Sequence, residues 1–462
     1  MSTFSGLSGA LSALYAQRRG MDVTGQNIAN ANTEGYSRQR TDLQAIGGPT
    51  TPGLYATTNG VGAGVTVSGV ARIQDTFLEA RGRAEHAQNS YLSGQKQIYA
   101  AIEQAFGEPG DTGLQSQLSE FWSAWHDVAN QPGDPAARTQ LLQRASTVAS
   151  SLRGTHDTLA SLFTTGREQL DTTVTEVNNA TKQVADLNQA VVRAKQAGLP
   201  VNELADQRDL LVMRIAELTG ATATTRDDGS VDVLLSGSSL VSGPNARTLE
   251  AFGAGRIDDV AATPVGVRWA DTKAAAAVPS GQLASTLQTL GTILPDTAAS
   301  LDSVAANLAS TVNTQHKLGF DQNGVAGVDF YTGTTAATIA VAVTDPAKIA
   351  AASGAASGGG GTLDGSNADA LAALGTAVTG PDRLYRQVVV DLGVAAQTAN
   401  RRAGIQDTLT QDADTARTAQ SGVNLDEEMT NLVAFQRAYQ AAAKVISTID
   451  ATLQDVLNMV GR

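Results

Sequence analysis

The sequence predicts a mainly α-helical, elongated, multi-domain chain whose N- and C-terminal halves form a long helical bundle or coiled coil around an inserted β-rich domain. Three observations carry this. Apolar residues recur at steps of three or four through almost all of the first 220 residues beyond an initial turn, and again from Leu283 onward. Between them, residues 221–281 change texture to Thr, Val and Gly with hairpin signals. The last stretch, Asn424 to Val460, is an uninterrupted apolar seam about 55 Å long at 1.5 Å per residue, too long to close on itself. It requires an extended partner.

Taken in order, Phe4, Leu7, Leu11 and Leu14 begin a helical register that continues through Arg18, Met21, Gly25 and Ile28. Gly6, Gly9, Gly20 and Gly25 each cost about 1 kcal/mol in a helix interior, so the segment should order only when packed. These small residues would let a second backbone approach closely. An amphipathic helix docked on its own domain would show the same spacing. Asn27, Asn30, Asn32, Thr33, Gly35 and Tyr36 then stop the helix and turn the chain. Residues 36–41 read as extended, and Gly60 to Val67 as turn then strand; its glycines lack the Lys-Ser/Thr of a phosphate loop.

A second long helix starts at Ile73 and keeps a heptad from Phe77 to Ala105, up to Gly107 and Pro109. A shorter one carries Phe121, Trp122 and Trp125. Asp134-Pro135 is a cap followed by a first-turn proline, opening one or two long helices over Leu141 to Val191. Another buries Leu204, Leu211, Ile215 and Leu218 and ends at Gly220. Asp227-Asp228-Gly229 turns a hairpin, and strands continue to Trp269. Helix resumes at Leu283 to Leu294, then Leu301 to Val312 beyond Pro295. Asp321-Gln322-Asn323-Gly324 reads as a turn, since the downstream bidentate acid of a calcium loop is missing. One or two short strands lie around Ile339 to Val343, and a linker runs from Ser353 to Gly361. A last helix from Pro381 leads to Ser421-Gly422.

The terminal seam is Leu425, Met429, Leu432, Phe435, Tyr439, Ala442, Ile446, Ile449, Leu453, Val456 and Val460, with Asn424 as N-cap and Glu427 expected to reach back in a variant capping box. The expected meeting, once the subunit is assembled, is of Leu7, Leu11 and Leu14 with Leu425, Leu432, Ile446, Ile449 and Leu453; before assembly both segments are expected to be exposed and mobile. The expected domains are therefore 1–36 with 421–462, a terminal polymerisation unit flexible in the monomer; 37–220 with 282–420, the long-helix bundle; and 221–281, the β-rich outer insertion.

Composition narrows function. A net charge of −13, from 45 acidic and 32 basic residues without a basic cluster, argues against nucleic acid or anionic membrane as partner. With no cysteine, neither disulfide, thiolate metal site nor cysteine nucleophile is expected. No cleavable leader pattern and no run of 18 apolar residues is found, so no membrane insertion is expected. His86, His126, His156 and His316 are spread one per helix without metal spacing, and read as surface or satisfied positions. Acidic neighbours such as Asp258/Asp259 and Glu427/Glu428 point about 100° apart on a helix and read as solvated. No catalytic motif and no cofactor site emerges.

The turn from Asn27 to Tyr36, and the run Ser421-Gly-Val-Asn-Leu-Asp-Glu-Glu-Met-Thr-Asn-Leu-Val-Ala-Phe-Gln-Arg-Ala-Tyr-Gln-Ala, resemble the two signatures of the axial proteins of the bacterial flagellum. Glu34 departs from the proline common before Gly-Tyr. Within that group, Asp206-Gln-Arg-Asp-Leu-Leu, Gln315-His-Lys-Leu-Gly-Phe-Asp and Asp321-Gln-Asn-Gly look like the hook-associated protein 1 family, with weakest likeness from Gly243 to Pro279 and at the Gly-rich linker. The resemblance implies a structural subunit of the hook–filament junction, secreted unfolded through the flagellar type III export gate. It implies a chaperone on the C-terminal helix, self-assembly in a ring, and contacts to hook protein and hook-associated protein 3. Hook or rod proteins are the nearest alternative, and a secreted hydrolase on a helical scaffold the remote one.

Overall fold

The computed structural model describes residues 3–47, 64–355 and 363–460. The chain is 65% helical with a few small antiparallel sheets, as the sequence predicts. Helix α1 (Thr3–Ala29) leads through the Asn-rich turn to a hairpin of β1 (Gln39–Ile46) and β2 (Gly64–Arg72), with a bulge at Asp42/Leu43. The residues before Gly64 in the expected turn lie outside those described.

Helix α2 (Thr76–Phe106) starts where the Asp75 carboxylate accepts from Phe77 N and Leu78 N, and ends at Gly107 with φ 63°. After α3 (Leu114–Asn130) comes α4 (Pro135–Gln196), a single helix of 62 residues capped by Asp134. That settles the choice between one helix and two. Gly154 and Gly166 do not break it, because tertiary packing outweighs their propensity cost; Gly166 lies against Leu290.

Helix α5 (Asn202–Thr219) ends at left-handed Gly220 and feeds the β-rich region. Strands β3 (Thr222–Thr225), β4 (Val231–Leu235), β5 (Ser238–Ser242) and β6 (Asn245–Ala246) form an antiparallel meander, and β7 (Leu249–Phe252) pairs with β8 (Gly266–Trp269). Both sheets lean on α4, whose Val177 and Val184 share a core with Val231, Val233, Leu240 and Leu249. Asparagines supply the strand backbones with partners. Asn188 bonds Val231 through both its amide N–H and its carbonyl, and Asn178 does the same for Leu249. A helix-borne side chain thereby stands in for a neighbouring strand.

Pro295 does not separate two helices as the sequence suggests. Helix α6 (Gly281–Gln288) widens into a π-helical turn over Thr289–Ile293 and continues as α7 (Leu294–His316). Leu294 N bonds Thr289 O, so the ladder has already shifted by one residue before proline removes a donor. Short strands β9 (Tyr331–Thr332) and β10 (Ala340–Val341) pair beside α4. Asp321 folds its turn by accepting from Asn323 N and Val325 N. Phe121, Trp125, Phe330, Tyr331 and His316 pack as one aromatic cluster. After α8 (Ser366–Ala373), α9 (Pro381–Ser421) returns antiparallel along α2, with Gln406 bonded to Glu85 and Arg417 facing Glu79. Part of the Ser353–Gly361 linker lies outside the described residues. Helix α10 (Leu425–Val460) ends the fold against α1.

Candidate assembly interface: the paired chain ends

Helices α1 and α10 lie antiparallel in one register. Gly6 faces Ile449, Gly20 faces Phe435, and Asn27 bonds Glu428, with equal steps along both helices between the first two pairs. At Gly20 the approach is closest: a Cβ there would stand 2.7 Å from a Phe435 ring carbon. Gly20 thus gives the ring its seat. Gly25 faces open space instead.

On α1, Leu7, Leu14, Met21 and Ile28 are half-buried, while Leu11 is 43% exposed. The side chain of Phe4 lies outside those described. On α10, Leu432, Phe435, Tyr439, Ile446, Ile449 and Leu453 are half-buried, whereas Leu425, Met429 and Val456 are each about half exposed. The expected meeting of Leu7, Leu11 and Leu14 with Leu425 and Leu432 does not occur within one chain. Antiparallel register puts Leu425 and Leu432 beside the C-terminal end of α1, and Leu7 near Ile449. An adjoining face of α1 packs on the hairpin: Ser12 Oγ accepts from Val65 N, and Gly64 approaches Gly9 and Ser12. Two helices and a ribbon bury little else, and Tyr15, Val433, Val445, Leu457 and Met459 are exposed too.

At the base of the pair the two sequence signatures are bonded together. Asn27, 1% exposed, uses its full capacity: Nδ2 donates to Gln39 O and Glu428 Oε2, and Oδ1 accepts from Tyr36 OH and Gln39 N. Arg38 spans two carboxylates, Nε to Glu428 Oε1 and Nη1 to Glu427 Oε2, each at 2.7 Å. Its backbone N donates to Ser421 O, and its carbonyl accepts from Ile73 N. Burial lowers the Arg38 guanidinium, but its bonds to Glu427 and Glu428 raise it further, so it stays charged. Burial, with the fields of Asp206, Glu203 and Glu428, pushes the Tyr36 phenol up to about 12 and keeps it a neutral donor.

Two sequence readings are corrected here. Glu427 does not close a capping box; Asn424 Oδ1 accepts from Asp426 N and Glu427 N, while the Glu427 carboxylate goes to Arg38. Glu428 is no solvated residue, being 2% exposed. The rest of the turn motif is local: Thr33 N bonds Asn30 O, Thr33 Oγ1 bonds Asn30 Oδ1, and Tyr36 N bonds Thr33 O. Gly35, φ 77°, lies against Leu210, and Asn32 is exposed. From α5, Asp206 accepts from Ser37 N and Arg72, and Asp209 accepts from Arg72 and Gln74. Sequence reasoning misses Arg38, Gln39, Glu428 and Arg72 as site residues, since isolated charges in extended segments carry no periodicity.

Among the described residues no cluster of His, Asp or Glu could hold a metal, and no helix is long and apolar enough to cross a membrane. The arrangement can hold and orient helices.

Known proteins place this architecture. Residues 99–331 match the helical domain of flagellar hook-associated protein FlgK; residues 7–36 match the flagella basal body rod protein family, and 417–459 the C-terminal family of flagellar basal body rod FlgEFG proteins. Flagellar hook-associated protein 1 of Bacillus subtilis (strain 168) is 30% identical over all of this chain and 99% of its own length. That of Escherichia coli (strain K12) is 26% identical over 98% and 99%. The fold is shared with the flagellar hook junction protein FlgK from Burkholderia pseudomallei, at TM-score 0.64 and 18% identity, over 73% of this chain and 99% of that one. With axial-protein segments at both ends, the FlgK helical domain between them and a full-length relative at 30% identity, the chain belongs to the flagellar hook-associated protein 1 family.

Proposed function

We propose that this chain is a structural subunit of the flagellar hook–filament junction that polymerises through its paired ends. Family membership supports a structural role in the extracellular flagellum, alongside other axial proteins. The single observation that carries the mechanism is the half-open state of the α1–α10 pair. Leu11, Tyr15, Leu425, Met429, Val433, Val445 and Val456 remain exposed on helices that are covered on one side only, α10 by α1 and α1 by α10 and the hairpin. A large side chain moved from water to a packed site contributes roughly 1.5 to 3 kcal/mol, so neighbouring subunits gain by covering this surface.

In this reading the interface is Phe4, Leu7, Leu11, Leu14, Met21, Ile28, Leu425, Met429, Leu432, Phe435, Tyr439, Ile446, Ile449, Leu453 and Val456. The turn Asn27, Asn30, Asn32, Thr33, Gly35 and Tyr36 sets the angle at which the pair leaves the helical bundle. The bundle then transmits load to the outer β region. Ring neighbours are copies of this chain, with hook protein on one side and hook-associated protein 3 on the other. Before assembly the chain passes the type III export gate, and a chaperone covers α10.

The test is Ile449→Asp, a charge in the middle of the seam. Complementation of a strain lacking the protein should give a folded helical bundle, hooks without the subunit, and shed filament subunits. A motile strain with normal incorporation would overturn the reading.

A further inference from the structure

Away from the chain ends, His86 of α2 stands between two carboxylates from distant parts of the sequence. Nδ1 lies 3.2 Å from Glu217 Oε1 on α5, and Nε2 lies 3.0 Å from both carboxylate oxygens of Asp414 on α9. A neutral imidazole has one N–H and one lone pair, and can satisfy only one of these. The geometry is complete only for the imidazolium.

We propose that His86 is a proton-controlled clasp holding α9 to α5 and α2, closed when the ring carries both protons and released when it carries one. The clasp sits seven residues before Ser421, the residue whose carbonyl takes the Arg38 N–H. Its release therefore loosens the arm that leads to α10, so the joint between bundle and terminal pair answers to pH. The three-helix joint alone supports the clasp, which stands or falls independently of polymerisation.

The groups that face the clasp are few. From α2 come Glu79, Arg83 and Glu85; from α5, Asp209, Arg214 and Glu217; from α9, Asp414 and Arg417; from the turn, Glu34. Arg214 shares Glu217 at 3.1 Å, and Arg417 reaches Glu79 at 3.7 Å and Asp414 at 3.9 Å. The bond to Glu217, then that to Asp414, raises the His86 pKa against a burial effect that lowers it. Glu217 is held down by the same bond. With the folded value above the unfolded one, stabilisation is fully present below about pH 6.5 and is lost as pH rises through the raised value.

The experiment uses the full chain as dilute monomer. NMR follows the His86 ring, and hydrogen exchange of residues 406–421, corrected for intrinsic rate, is compared at about pH 6 and about pH 9. The His86 midpoint should lie above its ordinary value. Exchange in 406–421 should accelerate through that midpoint, by about tenfold if the folded ring titrates one pH unit above the unfolded one. Asp414→Asn should lower the midpoint, and His86→Gln should abolish the exchange step. A His86 midpoint at or below the ordinary value would overturn the proposal. So would a pH step in 406–421 that survives in His86→Gln.

Discussion

Asn27 and Glu428, 401 residues apart in sequence, share a buried hydrogen bond of 3.0 Å that joins the N-terminal turn to the C-terminal helix. Arg38 completes the joint by pairing with the same carboxylate. Neither chain end can build it alone, so it forms only once both halves of the protein are present.

Glu428→Ala should therefore open the base of the terminal pair. Arg38 keeps Glu427, but it and the Asn27 amide lose their shared acceptor, and breaking two hydrogen bonds to a carboxylate costs about 3 kcal/mol. Amide exchange should rise by roughly a hundredfold around residues 27–39 and 421–432, with α4 unchanged. Tyr36→Phe removes one neutral bond to Asn27 and should cost only about 1 kcal/mol.

Gly20→Leu tests the close approach of the two helices. Its side chain would occupy the space of the Phe435 ring, and overpacking costs about 1–3 kcal/mol, more than the gain of about 1 kcal/mol in helix propensity. Incorporation into flagella should fall. Phe435→Ala in the same chain should recover part of it, and a double-mutant cycle on exchange rates reads the coupling.

His316 predicts an acid-sensitive segment just after α7, opposite in sign to His86. It is fully buried, its Nδ1–H donates to Val328 O at 2.6 Å, and its Nε2 accepts from Ala350 N at 2.9 Å. Burial lowers its pKa, so the neutral ring is favoured on folding. Stability from this site is present above the unfolded value near about 6.5 and is lost as pH falls through the depressed folded value. The His316 ring should remain neutral in NMR titration at about pH 6, and exchange in residues 317–352 should rise on further acidification.

The helices are legible in the sequence because their apolar residues repeat at helical spacing, and Val231 to Leu235 because a turn and β-branched residues bound it. Direction is not legible. A three-and-four seam defines a face, and that face serves parallel and antiparallel partners equally, so the spacing does not show that within one chain Leu425 lies at the other end of the pair from Leu7. Pro295 misleads because proline normally ends a helix, and only the π-helical turn before it shows how the ladder continues. The joint at Arg38 and Glu428 escapes because its specificity lies in single charged residues brought together over almost the whole chain. Asn27 and Tyr36 are visible only as turn formers; their bonding to each other and to Glu428 needs the fold.

The central claim is that the joint holds the base of α1–α10 while the outer lengths of both helices wait for neighbours. Hydrogen exchange on dilute monomer, repeated on assembled flagella, tests it most directly. In the monomer, protection should be strong at 27–38 and 424–435 and fall away toward residues 4 and 460; on assembly it should become strong throughout. Uniformly strong protection of both helices in the monomer, or none at the joint, would contradict the account.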